Sequence, residues 1–312
     1  MSKFLKLGLM TPILDSYDVF QAIDFAVANG FKSLEVAAWP KLPEGQKPSR
    51  RYADVSQIDA DRALAEGASY YQPIVDYAAQ KGVELASLVY CDNPLVNPAA
   101  VEHLKKLLRV ASKMGIPVVT TFVGRDQFKT VEENFDTLFV PVWKPLVELA
   151  EEQGVKIAIE NCPMLFTNDQ WPGGQNLMTT PANWRRAFEL LGDSPNFGVC
   201  YDPSHCIWLM IDPIAPIFEF ANRIFAAHAK DIILRRDKLQ QVGIMATPLQ
   251  FMQPVIPGHG DVPWAKYFEA LYAVGFTGTV ALEFEDKTFE GDDAVTHNAI
   301  RAAKRHLDQF VV

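Results

Sequence analysis

The sequence predicts an α/β protein built as a single (β/α)8 TIM barrel, with long loops after strands 5 and 7. Three observations predict it. Short apolar runs alternate with segments of helical periodicity along the whole chain. Eight such runs occur in 312 residues, and a barrel of this kind takes roughly 250 residues or more. No low-complexity linker or shift in composition divides the chain, so residues 1–312 read as one domain.

LGLMTPI (7–13) is the first apolar run, and YDVFQAIDFAVANGF (17–31) follows at helical spacing, closed by Asn29-Gly30. SLEVAAW (33–39) is the second strand. A polar, poorly patterned stretch leads from it to a helix over 70–82. Strand 83–90 precedes helix 98–115, and strand 117–124 precedes helix 133–154, which Pro141 and Pro145 are expected to kink or split. The remaining strands fall at 156–161, 196–203, 224–231 and 279–286, with helices near 181–192, 213–222, 262–275 and 292–310. Continuous apolar strands alternating with amphipathic helices imply a parallel sheet covered by helices.

Composition excludes several function classes. Hydrophobic residues make up 49% and charged residues 21%, as in an ordinary globular protein. Lys+Arg number 29 against 38 Asp+Glu, a net charge of −9, which argues against nucleic acid or an anionic membrane as partner. No run reaches the ~18 apolar residues of a membrane span. The start, MSKFLKLGLMTPIL, is broken by Gly8 and Pro12 and reads as a first strand, not a secretion signal. Cys91, Cys162, Cys200 and Cys206 form no CxxC pair and read as reduced thiols of a cytoplasmic protein.

Chemistry in such a barrel gathers at the C-terminal strand ends. The late strands carry Glu160 in IAIENCP, Asp202 and His205 in VCYDPSH, His228 and Asp231 in AAHAKD, and Glu283 and Glu285 in ALEFED. A lone strand-end carboxylate is usually solvated, and a lone histidine usually a satisfied core residue. Glu160, Asp202, His228 and Glu283, however, fall at matching depths on four successive strands. Three carboxylates crowded there repel one another unless a cation holds them. Three oxygens and one imidazole suit a hard divalent ion: Mn2+ is the first expectation, with Mg2+, Co2+ and Zn2+ as alternatives.

At these residues the sequence resembles the xylose isomerase-like barrel superfamily of sugar phosphate isomerases and epimerases, which includes the ketose 3-epimerases and inosose dehydratases. The likeness runs in order through IENCP, YDPSH, HAKD, PGHG and LEFED. It implies that Glu160, Asp202, His228 and Glu283 hold the metal, that His205 contacts substrate, and that Glu160 and Glu283 exchange protons with the carbon next to a carbonyl. The epimerases place a substrate-binding arginine six residues after the strand-7 histidine. Here that position is Leu234, and Arg235 or Arg236 is expected to substitute. Trp171, Trp208, His259 and Glu35 are further substrate-binding candidates, and Asp231 or Lys230 is expected to orient His228.

The expected activity is metal-dependent sugar isomerisation or epimerisation. Elimination from a 3-keto-sugar or 3-keto-glycoside is the rival, and a non-catalytic sugar-binding barrel is the third reading. A small sugar-derived substrate and a homo-oligomer are expected, with a second subunit if the enzyme is a glycoside lyase.

Overall fold

A computed structural model describes residues 4–43, 45–46, 54–165 and 173–312. Eight parallel strands close a barrel: β1 (Lys6–Met10), β2 (Ser33–Ala37), β3 (Glu84–Val89), β4 (Val118–Thr121), β5 (Lys156–Glu160), β6 (Phe197–Tyr201), β7 (Ile224–Ala229) and β10 (Thr279–Leu282). Around the barrel they run β1-β10-β7-β6-β5-β4-β3-β2, so the four strands that lead to Glu160, Asp202, His228 and Glu283 are neighbours.

The helix Pro98–Met114 shows how the outer layer forms. The Asn97 side chain accepts from the Ala99 N–H at 3.1 Å, Pro98 opens the helix, and Gly115 ends it in the left-handed conformation at φ 69°. Its buried stripe, Ala100, Leu104, Leu107, Leu108, Ala111 and Met114, recurs every three to four residues. Each large apolar side chain there contributes ~1.5–3 kcal/mol on burial. On the same face, His103 Nε2 lies 2.7 Å from the Ala38 carbonyl, tying the helix to the chain just beyond β2.

Four local differences from expectation have physical causes. Pro141 and Pro145 do not split their helix. A π-helical segment, Asn134–Phe139, precedes Val140–Gln153, and its wider turn makes room for a proline ring lacking an N–H. Strand β6 stops at Tyr201, because Asp202 caps a short helix, Pro203–Trp208, by accepting from Ser204 N–H at 2.8 Å. The stretch before residue 70 holds a helix, Ala60–Glu66, capped by Asp59. The expected helix near 213–222 is two short pieces, Ala215–Glu219 and a 3-10 turn at Ala221–Arg223.

The long segment after β7 is itself structured. β8 (Asp231–Leu234) and β9 (Met252–Val255) pair antiparallel outside the barrel, with a helix, Arg236–Val242, between them. Ile232, Leu234 and Phe251 pack with Trp208 into a satellite apolar cluster. Asp231 anchors the PGHG loop to this hairpin. Its carboxylate accepts from the N–H groups of Ile232 (3.0 Å), Val262 (3.1 Å), Gly258 (2.9 Å) and Gly260 (3.1 Å), and from the Trp264 indole (3.0 Å). Gly260 is required here: a Cβ would lie 2.3 Å from both Asp231 Oδ1 and the Ile232 carbonyl.

Candidate metal centre and cavity

Glu160 ends β5, His228 is the penultimate residue of β7, and Asp202 and Glu283 immediately follow β6 and β10. The Glu283 N–H still bonds the Ala229 carbonyl at 3.1 Å, which holds it in the barrel frame. All four side chains are buried. One ligand atom from each of Glu160, Asp202, His228 and Glu283 lies within 4.8 Å of the other three.

Hydrogen bonding fixes what these atoms can do. Asp202 Oδ1 caps the helix that follows, leaving Oδ2 without a hydrogen-bond partner. His228 Nε2 lies 3.1 Å from Glu35 Oε2 and 3.3 Å from Cys200 Sγ. A carboxylate only accepts, so Nε2 carries the proton. His228 Nδ1 then faces Glu283 Oε2 at 2.9 Å and Glu160 Oε1 at 3.7 Å, and neither Nδ1 nor Glu283 Oε2 has a hydrogen-bond partner. Three buried, unpartnered ligand atoms on Asp202, His228 and Glu283, with Glu160 beside them, fit a divalent ion. Such an ion takes its ligands at about 2.1 Å, hence up to about 4.2 Å from one another.

His205 does a different job. The Trp208 indole N–H points at His205 Nδ1 at 3.3 Å, which requires a lone pair there, so Nε2 carries the proton. That N–H donates to Glu160 Oε1 at 3.2 Å, with Asp202 Oδ2 also 3.2 Å away. Lys230, also buried, sits 3.0 Å from Glu283 Oε1 and 2.8 Å from Glu285 Oε2. Burial works to raise the Glu160 carboxyl, but the His205 hydrogen bond and the Lys230 charge hold it well below the ordinary glutamate range. Burial pushes the Glu283 carboxyl up, against the pull of Lys230.

Above the four residues opens a cavity of about 590 Å³. Glu160, Lys230, Glu283 and Glu285 reach it from one side, Trp39, Tyr90, Phe122 and Met164 supply apolar wall, and Asp92, Asn93 and Asn97 supply polar wall. Asp92 is held by Tyr90 Oη at 2.8 Å and Asn97 Nδ2 at 2.9 Å. Asn176 ties the loop after β5 to this rim, donating to the carbonyls of Glu160 (2.9 Å) and Cys162 (2.8 Å).

Several sequence expectations take a different place here. Arg235 and Arg236 are exposed on the hairpin insertion, Arg235 donating to Gln253 at 3.1 Å, and neither lines the cavity. The hairpin carries them outward past Leu234, which is buried. His259 is exposed on the PGHG loop and does not line the cavity. Neither Asp231 nor Lys230 orients His228: the first is caged by five N–H donors and the second pairs with carboxylates, while Glu35, expected at the rim, lies against His228 with 1% exposure. His205 faces the carboxylates of Glu160 and Asp202, Trp208 donates to His205, and both are absent from the cavity wall. Trp171 lies outside the described residues. Sequence reasoning missed Trp39, Tyr90 and Phe122. The signal for them was available: Tyr90 and Phe122 directly follow β3 and β4 and Trp39 lies two residues past the end of β2, where loops build a barrel's site.

The model of the xylose isomerase-like TIM barrel family matches residues 23–309. Among curated proteins, the uncharacterised YfiH of Bacillus subtilis is 30% identical over 186 residues, covering 56% of this chain and 55% of that protein. An inosose dehydratase of Geobacillus kaustophilus is 28% identical over 116 residues, covering 36% of each. The alignments thus span about half, or less, of those relatives' length. Among solved structures, a D-psicose 3-epimerase of Clostridium cellulolyticum with D-tagatose superposes with TM-score 0.66 at 15% identity, covering 98% of this chain and 99% of that one. The IolI protein with a bound zinc atom superposes with TM-score 0.66 at 18% identity, covering 98% of both. The chain belongs to the xylose isomerase-like TIM barrel family.

Proposed function

We propose that the protein is a divalent-metal-dependent sugar isomerase or epimerase that removes a proton from the carbon next to a sugar carbonyl. One observation carries the reading: Asp202 Oδ2, His228 Nδ1 and Glu283 Oε2 are buried without a hydrogen-bond partner and gathered with Glu160 at the end of a cavity. Leaving such groups uncompensated costs several kcal/mol. Glu160, Asp202, His228 and Glu283 would hold the ion, with Mn2+ first by donor chemistry and Zn2+ suggested by the zinc of the IolI neighbour. When bound, the ion polarises the carbonyl and stabilises the negative charge that develops on its oxygen.

The chain supplies the proton transfers. Glu160 and Glu283 border the cavity from β5 and β10, with β6 and β7 between them. One takes the proton from the carbon, and the other returns it on the opposite face in an epimerisation. His205 Nε2–H holds Glu160 Oε1, and the Lys230 ammonium holds Glu283 Oε1, so each carboxylate is fixed in orientation where it borders the cavity. Trp39, Phe122 and Met164 exclude water from the reacting carbon, and Asp92, Asn93 and Asn97 offer partners to sugar hydroxyls.

The same proton abstraction followed by loss of a β-substituent is a lyase reaction. The cavity volume of about 590 Å³ and its apolar wall of Trp39, Tyr90, Phe122 and Met164 favour it as the second reading, because they have room for a keto-glycoside bulkier than a free sugar, and an inosose dehydratase is among the relatives. Proton NMR in D2O with metal-loaded protein tests both. Deuterium entering beside the carbonyl of a ketose, with the substrate otherwise intact, supports the isomerase. Release of a substituent from a 3-keto-glycoside supports the lyase. A Glu160→Gln protein that exchanges deuterium as fast as wild type refutes the proton-transfer role of Glu160.

A further inference from the structure

The barrel ladder is regular except at two places. The β2–β3 register shifts between Leu34 and Glu35, and the β6–β7 register shifts between Val199 and Cys200. These two residues, Glu35 and Cys200, are the ones whose side chains touch His228 Nε2, at 3.1 Å and 3.3 Å. Bulges re-aim side chains next to sites, and here both irregularities serve one nitrogen. Glu35 reaches His228 across the barrel interior from a strand that is not its neighbour. It is 1% exposed, and its other oxygen, Oε1, has no hydrogen-bond partner. A carboxylate buried in this way is costly unless the contact it makes is needed.

We infer that Glu35 is a positioning residue that keeps the His228 proton on Nε2, so that the Nδ1 lone pair is presented to Glu160, Asp202 and Glu283. This rests on the metal reading given above. Without Glu35, the proton is free to sit on Nδ1, where Glu283 Oε2 at 2.9 Å attracts it, and that tautomer cannot bind a cation through Nδ1. Cys200 assists as a weak, neutral neighbour; burial pushes its thiol well above the ordinary range.

The test compares wild type with Glu35→Gln, which keeps the shape, and Glu35→Ala. Zn2+ affinity is measured by calorimetry, and the His228 ring nitrogens are followed by 15N NMR in ring-labelled protein, with circular dichroism checking the fold. Wild type is expected to bind one Zn2+ with Nε2 protonated and Nδ1 bearing the metal shift. Glu35→Gln is expected to lose about 10-fold and Glu35→Ala up to about 100-fold in affinity, with the Nε2–H signature weakened in both. If Glu35→Gln is folded and binds Zn2+ as tightly as wild type with unchanged ring shifts, the positioning role is wrong and the metal site stands. If wild type itself takes up no Zn2+, Mn2+ or Co2+, the metal reading fails and this inference falls with it.

Discussion

Asp231→Asn is the substitution whose cost the structure determines most directly. Asp231 is fully buried, and its two oxygens accept five N–H groups, two at Oδ1 and three at Oδ2. An asparagine has one oxygen to offer. In its better orientation the amide nitrogen replaces Oδ1 and sets its own N–H groups against those of Ile232 and Val262. Two buried donors then lose their acceptor, at ~1–3 kcal/mol each, and the repulsion adds to this. A loss of about 3–5 kcal/mol is expected, the range for breaking a buried charged contact. For a chain of this size ~2 °C of melting temperature accompanies each kcal/mol. Thermal unfolding followed by circular dichroism in EDTA is therefore expected to shift down by about 6–10 °C. The EDTA removes any metal contribution, so the shift reports the loop anchor alone. A shift under about 2 °C would mean that the PGHG loop and hairpin melt independently of the barrel, and the reasoning from the cage would be refuted.

Three further outcomes follow from the same structure. Saturating metal is expected to raise the melting temperature over the EDTA sample, by about 2.7 kcal/mol of stability at one hundred times the dissociation constant; Asp202→Asn removes that rise, and a rise that persists in the variant refutes the ligand role of Asp202. Trp208→Phe removes the indole N–H that holds His205 Nδ1 as an acceptor, so 15N NMR should show the His205 proton redistributed between its nitrogens with the fold retained, and an unchanged tautomer overturns the assignment. Burial pushes the Cys206 thiol up to about 11, so at pH 8 roughly one molecule in a thousand carries the thiolate, and iodoacetamide on folded protein should leave Cys206 unmodified; mass-spectrometric labelling at Cys206 within the time that modifies denatured protein contradicts this.

By itself the sequence determined the barrel and the four gathered side chains. Apolar runs of strand length between helical repeats are a local signal, and so is an ionisable residue at the end of an apolar strand. Glu160, Asp202, His228 and Glu283 were legible because each sits at such an end on one of four strands that are adjacent once the barrel closes. The Asp-Pro pair at 202–203 also carried a helix start that ends β6 early.

Tertiary structure alone decided how those groups are held. Glu35 and His228 are 193 residues apart, and nothing local says that a carboxylate on β2 crosses the interior to an imidazole on β7. The tautomers of His205 and His228 depend on Trp208 and Glu35, and Glu35 stands at a register shift that no periodicity reveals. Arg235, Arg236 and His259 are near the site in sequence but not in space, because an antiparallel hairpin inserted after β7 carries the arginines outward and Asp231 pins the histidine's loop. The physical reason is the same throughout: hydrophobic periodicity states which side of a strand or helix faces inward, whereas the partner met there is set by closure, register and the hydrogen bonds of the folded chain.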